Sequence, residues 1–364
     1  MAGGRGGGPG GWNYRSLIDL IDVLLGAGPV VIAGLGLAVV DRVLGGGAPA
    51  PVRLARRLHP AGALAAVASI VVSPGGPASA LAAGWLAVCL CATAGGAGLV
   101  VRLARAAAPV TAPSPGAPSS PPSDLPWRGP VPPTALAPAR LPATVPPAGT
   151  LATLVMAAGL AFLSVGGGWL VASGLGARPF DLSSDIVRLT AVHFHYAGFG
   201  LAVLAATGLA AADWLASRTA LVTGCLASVA GPPVVAAGFA YDSGEAQVVG
   251  AVIMTVAAWT VGFGTMLLAT TRPRRGHGVP GSAGRTLLLV SAFSPIVPML
   301  LAVQWALAQR TSLPALGIDD MAATHGLLNG VGFVMAGLGG WLLVGVTAGA
   351  PGAAGRAWLA APEP

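Results

Sequence analysis

Three of the five histidines fall inside strongly apolar segments. His193 and His195 lie in TAVHFHYAGFG, residues 190–200, and His325 lies in ATHGLLNGVGF, residues 323–333. Imidazole changes charge near neutral pH and is the commonest metal ligand. An ionisable group inside an apolar span is costly, so it is read first as functional. Three chemistries suit the trio. They are a proton or ligand pathway, ligation of haem or a transition metal by His193, His195 and His325, and structural hydrogen bonds between helices. His59 and His277 stand among arginines and are read as solvated loop residues.

Helix geometry limits how these side chains can act together. Positions i and i+2 lie about 200° apart at 3.6 residues per turn, so only one of His193 and His195 can face a common partner on a regular helix. His193 shares its face with Tyr196 and Ala197, and His195 shares its face with Phe199. His325 and Asn329 are four apart and point the same way. The predicted polar pocket is therefore His193 or His195 with Tyr196, His325 and Asn329, overhung by Asp185, Asp242, Glu245 or Asp320. No HExxH or paired Cys/His spacing is present. Nor is there a phosphate loop, a GxSxG or a catalytic triad order, so no catalytic residue is assigned. Cys89, Cys91 and Cys225 lie in apolar blocks and read as small buried hydrophobes rather than thiolate ligands or disulfide partners.

The elements that must position these residues are transmembrane helices. Only 9% of the 364 residues are charged while 54% are hydrophobic. A soluble domain carries roughly 25% charged residues. The apolar residues also come in blocks near the length of about 20 residues that spans a bilayer. The fold class is all-α, a polytopic bundle of about nine spans near 21–40, 60–76, 79–101, 150–173, 190–212, 219–241, 247–271, 286–307 and 321–347. The second has the shortest apolar run, and eight spans is the alternative count. Residues 108–148 form a Pro-rich linker that can build neither helix nor core. It divides the chain into an N-terminal three-helix segment, 1–107, and a six-helix domain, 149–347, followed by a cytoplasmic tail, 348–364.

All nineteen basic residues are arginine. They form no stripe with interleaved aromatics, which argues against nucleic acid as a partner. With the N-terminus outside, fourteen of the nineteen fall in inner segments. Arginine collects on the cytoplasmic side, so the chain is expected to sit in the cell membrane with the N-terminus out and the C-terminus in. The pocket acids and the intramembrane histidines then share the outer face. The Gly-rich N-terminus lacks the charged-then-apolar pattern of a cleavable signal.

Gly326 and Gly330 make a small-xxx-small face, with Gly198 beside the histidine pair. Close packing of spans five and nine would bring the histidines together. Pro232 and Pro233 should interrupt the sixth span, and Pro295 and Pro298 the eighth.

The block LTAVHFHYAGFGLAVLA, residues 189–205, is followed far downstream by THGLLNGVGFVMAGLGGW, residues 324–341. This pairing resembles the YndJ-like family of bacterial membrane proteins. The resemblance runs from about 150 to 347, with the first three spans alike only in hydropathy. It marks His193, His195, His325 and Asn329. It implies a membrane protein of the kind labelled as transporters and supplies no reaction. The leading expectation is a transporter or channel-like protein for a small molecule or ion, with an outward-facing histidine-lined site. The alternatives are a haem- or metal-binding membrane protein, redox or enzymatic, and a sensor or scaffold without turnover.

Overall fold

A bilayer offers no water to satisfy backbone N–H and C=O groups, so apolar blocks of spanning length bond internally as helices. The computed structural model describes residues 14–45, 47–107, 148–212, 215–270 and 282–344. Residues 1–13, most of the Pro-rich stretch 108–148, residues 271–281 with His277, and residues beyond 344 lie outside them. Nine helical segments are present among the described residues. They are α1 (14–43), α2 (Ala50–Val71), α3 (Gly76–Ala107), α4 (Ala148–Leu175), α5 (Ser184–Ala211), α6 (Leu215–Ala240), α7 (Gly244–Thr270), α8 (Ser282–Ala308) and α9 (Ile318–Val344).

Eight of these helices are long and apolar enough to cross a membrane, with α2 excepted. Its first half carries Arg53, Arg56 and Arg57. Packing nevertheless places it in the same slab as its neighbours. Gly26 of α1 lies against Val67 and Ile70, and Gly34 lies against His59. Gly95 of α3 lies against Val52, and Gly62 lies against Trp85 and Val88. Thus α2 runs antiparallel to both helices along its length. It starts ten residues earlier than the apolar run beginning at residue 60, because its arginines can extend beyond the apolar layer while their stems stay against it.

Each helix packs against the next in chain order, and α9 closes the ring against α1. Helix α5 lies at the centre, touching α1, α4, α6, α7 and α9. Its apolar window is 83% buried, against 33% to 56% for the other seven. The cause is visible in its sequence, where Leu201–Leu209 is apolar or small all round and every residue is buried. A helix without a polar face belongs inside. The long linker divides the sequence but not the core, which runs without interruption from α1 through α9.

The ends of the bundle differ in charge. Arg42, Arg53, Arg56, Arg57, Arg102 and Arg105 gather at one end. There Arg56 pairs with Asp41, and Arg102 donates to the Gly47 carbonyl at 2.7 Å. At the other end lie Asp22, Asp185, Asp242, Glu245, Asp319 and Asp320, with Arg178, Arg188 and Arg310. Arg188 bridges Asp22 and Asp185 at 2.8 Å each.

The prolines act differently from expectation in one case. Helix α6 continues through Pro232 and Pro233. Helix α8 does break, between Phe293 and Ile296, at Ser294–Pro295.

Candidate functional site

Helices α1, α5 and α9 each contain a π-helical segment. These are Gly28–Ala33, Phe194–Gly200, and the pair Ala322–Gly326 and Leu328–Met335. Three of them, Gly28–Ala33, Phe194–Gly200 and Leu328–Met335, meet one another at the centre of the bundle. A π turn inserts an extra residue and shifts the faces of the helix beyond it, a device frequent at functional sites. Beside this junction is a cavity of about 240 Å³, walled by α1, α5, α6, α7, α8 and α9. Its lining is mostly apolar, including Leu24, Phe194, Phe239, Met254, Met299, Trp305 and Phe333.

The two histidines of α5 diverge. His193 lines the cavity with Tyr196 and Ala197 and is exposed into it. His325 of α9 lines the same cavity, and the two imidazoles stack with centroids 6.5 Å apart and planes 23° apart. His195 faces the opposite way and is wholly buried. Its Nε2 accepts the indole N–H of Trp85 at 3.0 Å, and its Nδ1–H donates to the Ala191 carbonyl at 2.7 Å. Both ring nitrogens are engaged. Phe199, on the same face, packs against Gly36 of α1.

Glycines make room for this arrangement. A Cβ at Gly28 would meet His195 Cβ at 3.1 Å, and one at Gly166 of α4 would meet its Nδ1 at 2.7 Å. Gly330 faces Tyr196 and Gly200 faces Val334, so α5 and α9 approach closely. Gly326 instead faces Leu24 of α1, and Gly198 faces Phe162 of α4.

The remaining polar groups of the cavity are held by short-range bonds. His193 Nδ1–H donates to the Leu189 carbonyl at 3.0 Å. His325 Nδ1–H donates to the Pro298 carbonyl at 2.8 Å, one turn past the break in α8. Asn329 Nδ2 lies 3.5 Å from Met299 Sδ, and its Oδ1 is buried without a partner among the described residues. Tyr196 donates its hydroxyl to the Leu24 carbonyl at 3.0 Å.

The four candidate acids do not line the cavity. Asp185 is held by Arg188, and Glu245 accepts from the Ser243 hydroxyl at 3.3 Å. The Asp242 carbonyl accepts from Arg310 at 3.2 Å, and the Asp320 carbonyl accepts from Thr324 at 2.6 Å. Among the described residues, no group of three or more His, Cys, Asp or Glu side chains is placed to hold a metal ion. His195 in particular is not brought to His193 and His325.

His59 is not a solvated loop residue. It sits within α2, half-buried, bonded through Nε2 to the Pro29 carbonyl at 2.8 Å and set edge-on to Trp85 at 6.0 Å. Sequence reasoning also passed over Trp85, Thr190, Gln247 and Trp305. Gln247 is the only amide in α7, and Trp85 the only aromatic in α3. The single amide of one span and the single aromatic of another were the available signals.

Comparison with known proteins gives one family. The family model described as YndJ-like protein matches residues 23–333. The match begins inside α1, so it takes in the first three helices as well as the region from residue 150. No curated protein and no solved structure matches the chain.

Proposed function

The chain belongs to the YndJ-like family, and we propose that it is a membrane transporter whose substrate occupies the cavity between His193 and His325. The observation that carries this reading is the pairing of those two rings, from α5 and α9, across a cavity at the meeting point of three π-distorted helices. The break in α8 adds support. Discontinuous helices recur where transporters bind substrate, and His325 bonds to a carbonyl beside this break. The charge difference between the bundle ends supports an orientation in the cell membrane with the acidic end outside and the arginine-rich end in the cytoplasm.

The test is flux across proteoliposomes containing the purified full-length chain, with a panel of small solutes. The expected result is saturable uptake of at least one solute, reduced at least tenfold by His325→Leu in protein that remains folded. Flux equal to that of empty liposomes for the whole panel would refute transport.

A further inference from the structure

The hydrogen-bond inventory of the cavity has a consistent sign. Thr190 donates its hydroxyl to the Ile186 carbonyl at 2.7 Å. Tyr196 donates to the Leu24 carbonyl, and Gln247 Nε2 donates to the Gly238 carbonyl at 3.2 Å. Each cavity histidine has Nδ1 against a backbone carbonyl. A carbonyl only accepts, so the proton sits on Nδ1 and Nε2 carries the lone pair; the Nε2 of His325 lies 3.5 Å from the Asn329 amide nitrogen, whereas that of His193 has no protein partner among the described residues. The hydroxyl and imidazole donors are thus committed to the protein, and what these groups retain is acceptor capacity. Gln247 Oε1 and Asn329 Oδ1 are both buried without a partner among the described residues. Trp305 also lines the cavity. No Asp, Glu or Arg lines the cavity.

We propose that this cavity selects small uncharged amphiphiles bearing a hydroxyl, alcohols or phenols, over anions and over bodies of the same shape that lack a donor. A hydroxyl hydrogen matches the Nε2 acceptor of His193 or the unpartnered oxygens of Asn329 and Gln247, and its own oxygen can accept from an indole N–H. The aliphatic and aromatic walls take the apolar body, as in most small-molecule sites. An anion would find the hydroxyl and imidazole donors already engaged and would enter without a countercharge, which is strongly unfavourable in an apolar interior. The same lack of a carboxylate disfavours an ammonium. This proposal rests on the cavity being the binding site of the transporter reading, but it does not require that the ligand be moved.

The experiment is equilibrium dialysis of full-length protein in lipid nanodiscs, with empty nanodiscs subtracted. The probes share one body: para-propylphenol, para-propylanisole and para-propylbenzoate. The expected result is saturable binding of the phenol, at least tenfold weaker binding of its methyl ether, and no saturable binding of the benzoate. His193→Leu should reduce the phenol preference over the ether to less than threefold. Equal or tighter binding of the ether or the benzoate would overturn the proposal, as would the absence of saturable phenol binding. The ligand panel on the unaltered protein decides the matter even where a variant fails to fold. Selective phenol binding without phenol flux in proteoliposomes would uphold this proposal while removing the support for transport.

Discussion

His195 and Trp85 are joined by a 3.0 Å hydrogen bond between buried rings on α5 and α3. Two residues earlier, His193 turns its ring into a cavity toward His325. One short segment therefore carries a histidine bonded within the packing and another that lines the cavity.

That division predicts unequal effects of matched substitutions. His195→Leu strands the Trp85 N–H in an apolar interior and should cost about 1–3 kcal/mol, the usual penalty for a buried unsatisfied donor. His193→Leu, at a position exposed to the cavity, should stay within about 0.5 kcal/mol. Thermal unfolding in a mild detergent separates the two. A larger loss for His193→Leu would contradict the assignment.

Trp85→Phe keeps the aromatic packing and removes only the donor that His195 Nε2 accepts. A double-mutant cycle with His195→Leu should give a coupling energy of about 0.5–3 kcal/mol, as for directly bonded partners. The same cycle between Trp85→Phe and His193→Leu should be additive to within about 0.5 kcal/mol. Equal coupling in both cycles would mean that the two histidines share one network.

The close approach of α5 and α9 depends on Gly200. A Cβ there would strike Val334 and come within 3.2 Å of Ile32 Cγ2. Gly200→Ala should therefore destabilise by about 1–3 kcal/mol through overpacking. Adding Val334→Ala should recover part of that loss, because it removes the methyl that the new Cβ meets. Failure of the second change to compensate would place the strain elsewhere.

Orientation can be tested with single cysteines in a background where Cys89, Cys91 and Cys225 are replaced. With the arginine-rich end inside, Tyr241→Cys should react with an impermeant maleimide on intact cells. Arg57→Cys should react only after the membrane is opened. The reverse pattern would invert the proposed topology.

Much of the architecture was legible because hydropathy is local. Each apolar block long enough to span became a helix, and the spacing of His325 and Asn329 put both on one cavity wall. The weak second block was legible as a span but not in its limits. Arginines at its start depress hydropathy, whereas the helix is held by Gly–Val and Gly–Trp contacts with α1 and α3. Sequence puts the acids at the same end as the histidines, and the structure adds that they lie outside the cavity lining, with Asp185 paired to Arg188 and Glu245 accepting from Ser243.

Composition and periodicity by themselves determined a helical membrane bundle, the concentration of arginine at one end, and the divergence of His193 from His195. These follow from transfer free energy and from 3.6 residues per turn, both properties of short stretches of chain. Only the tertiary structure decided which histidine met His325 and which met Trp85. It also decided that Gln247, Thr190 and Trp305 would share the cavity, and that three π segments would converge beside it. Those outcomes depend on which helices become neighbours. Neighbour choice is set by glycine-sized gaps and bulky side chains that match across helices far apart in the chain, a complementarity that no local pattern encodes.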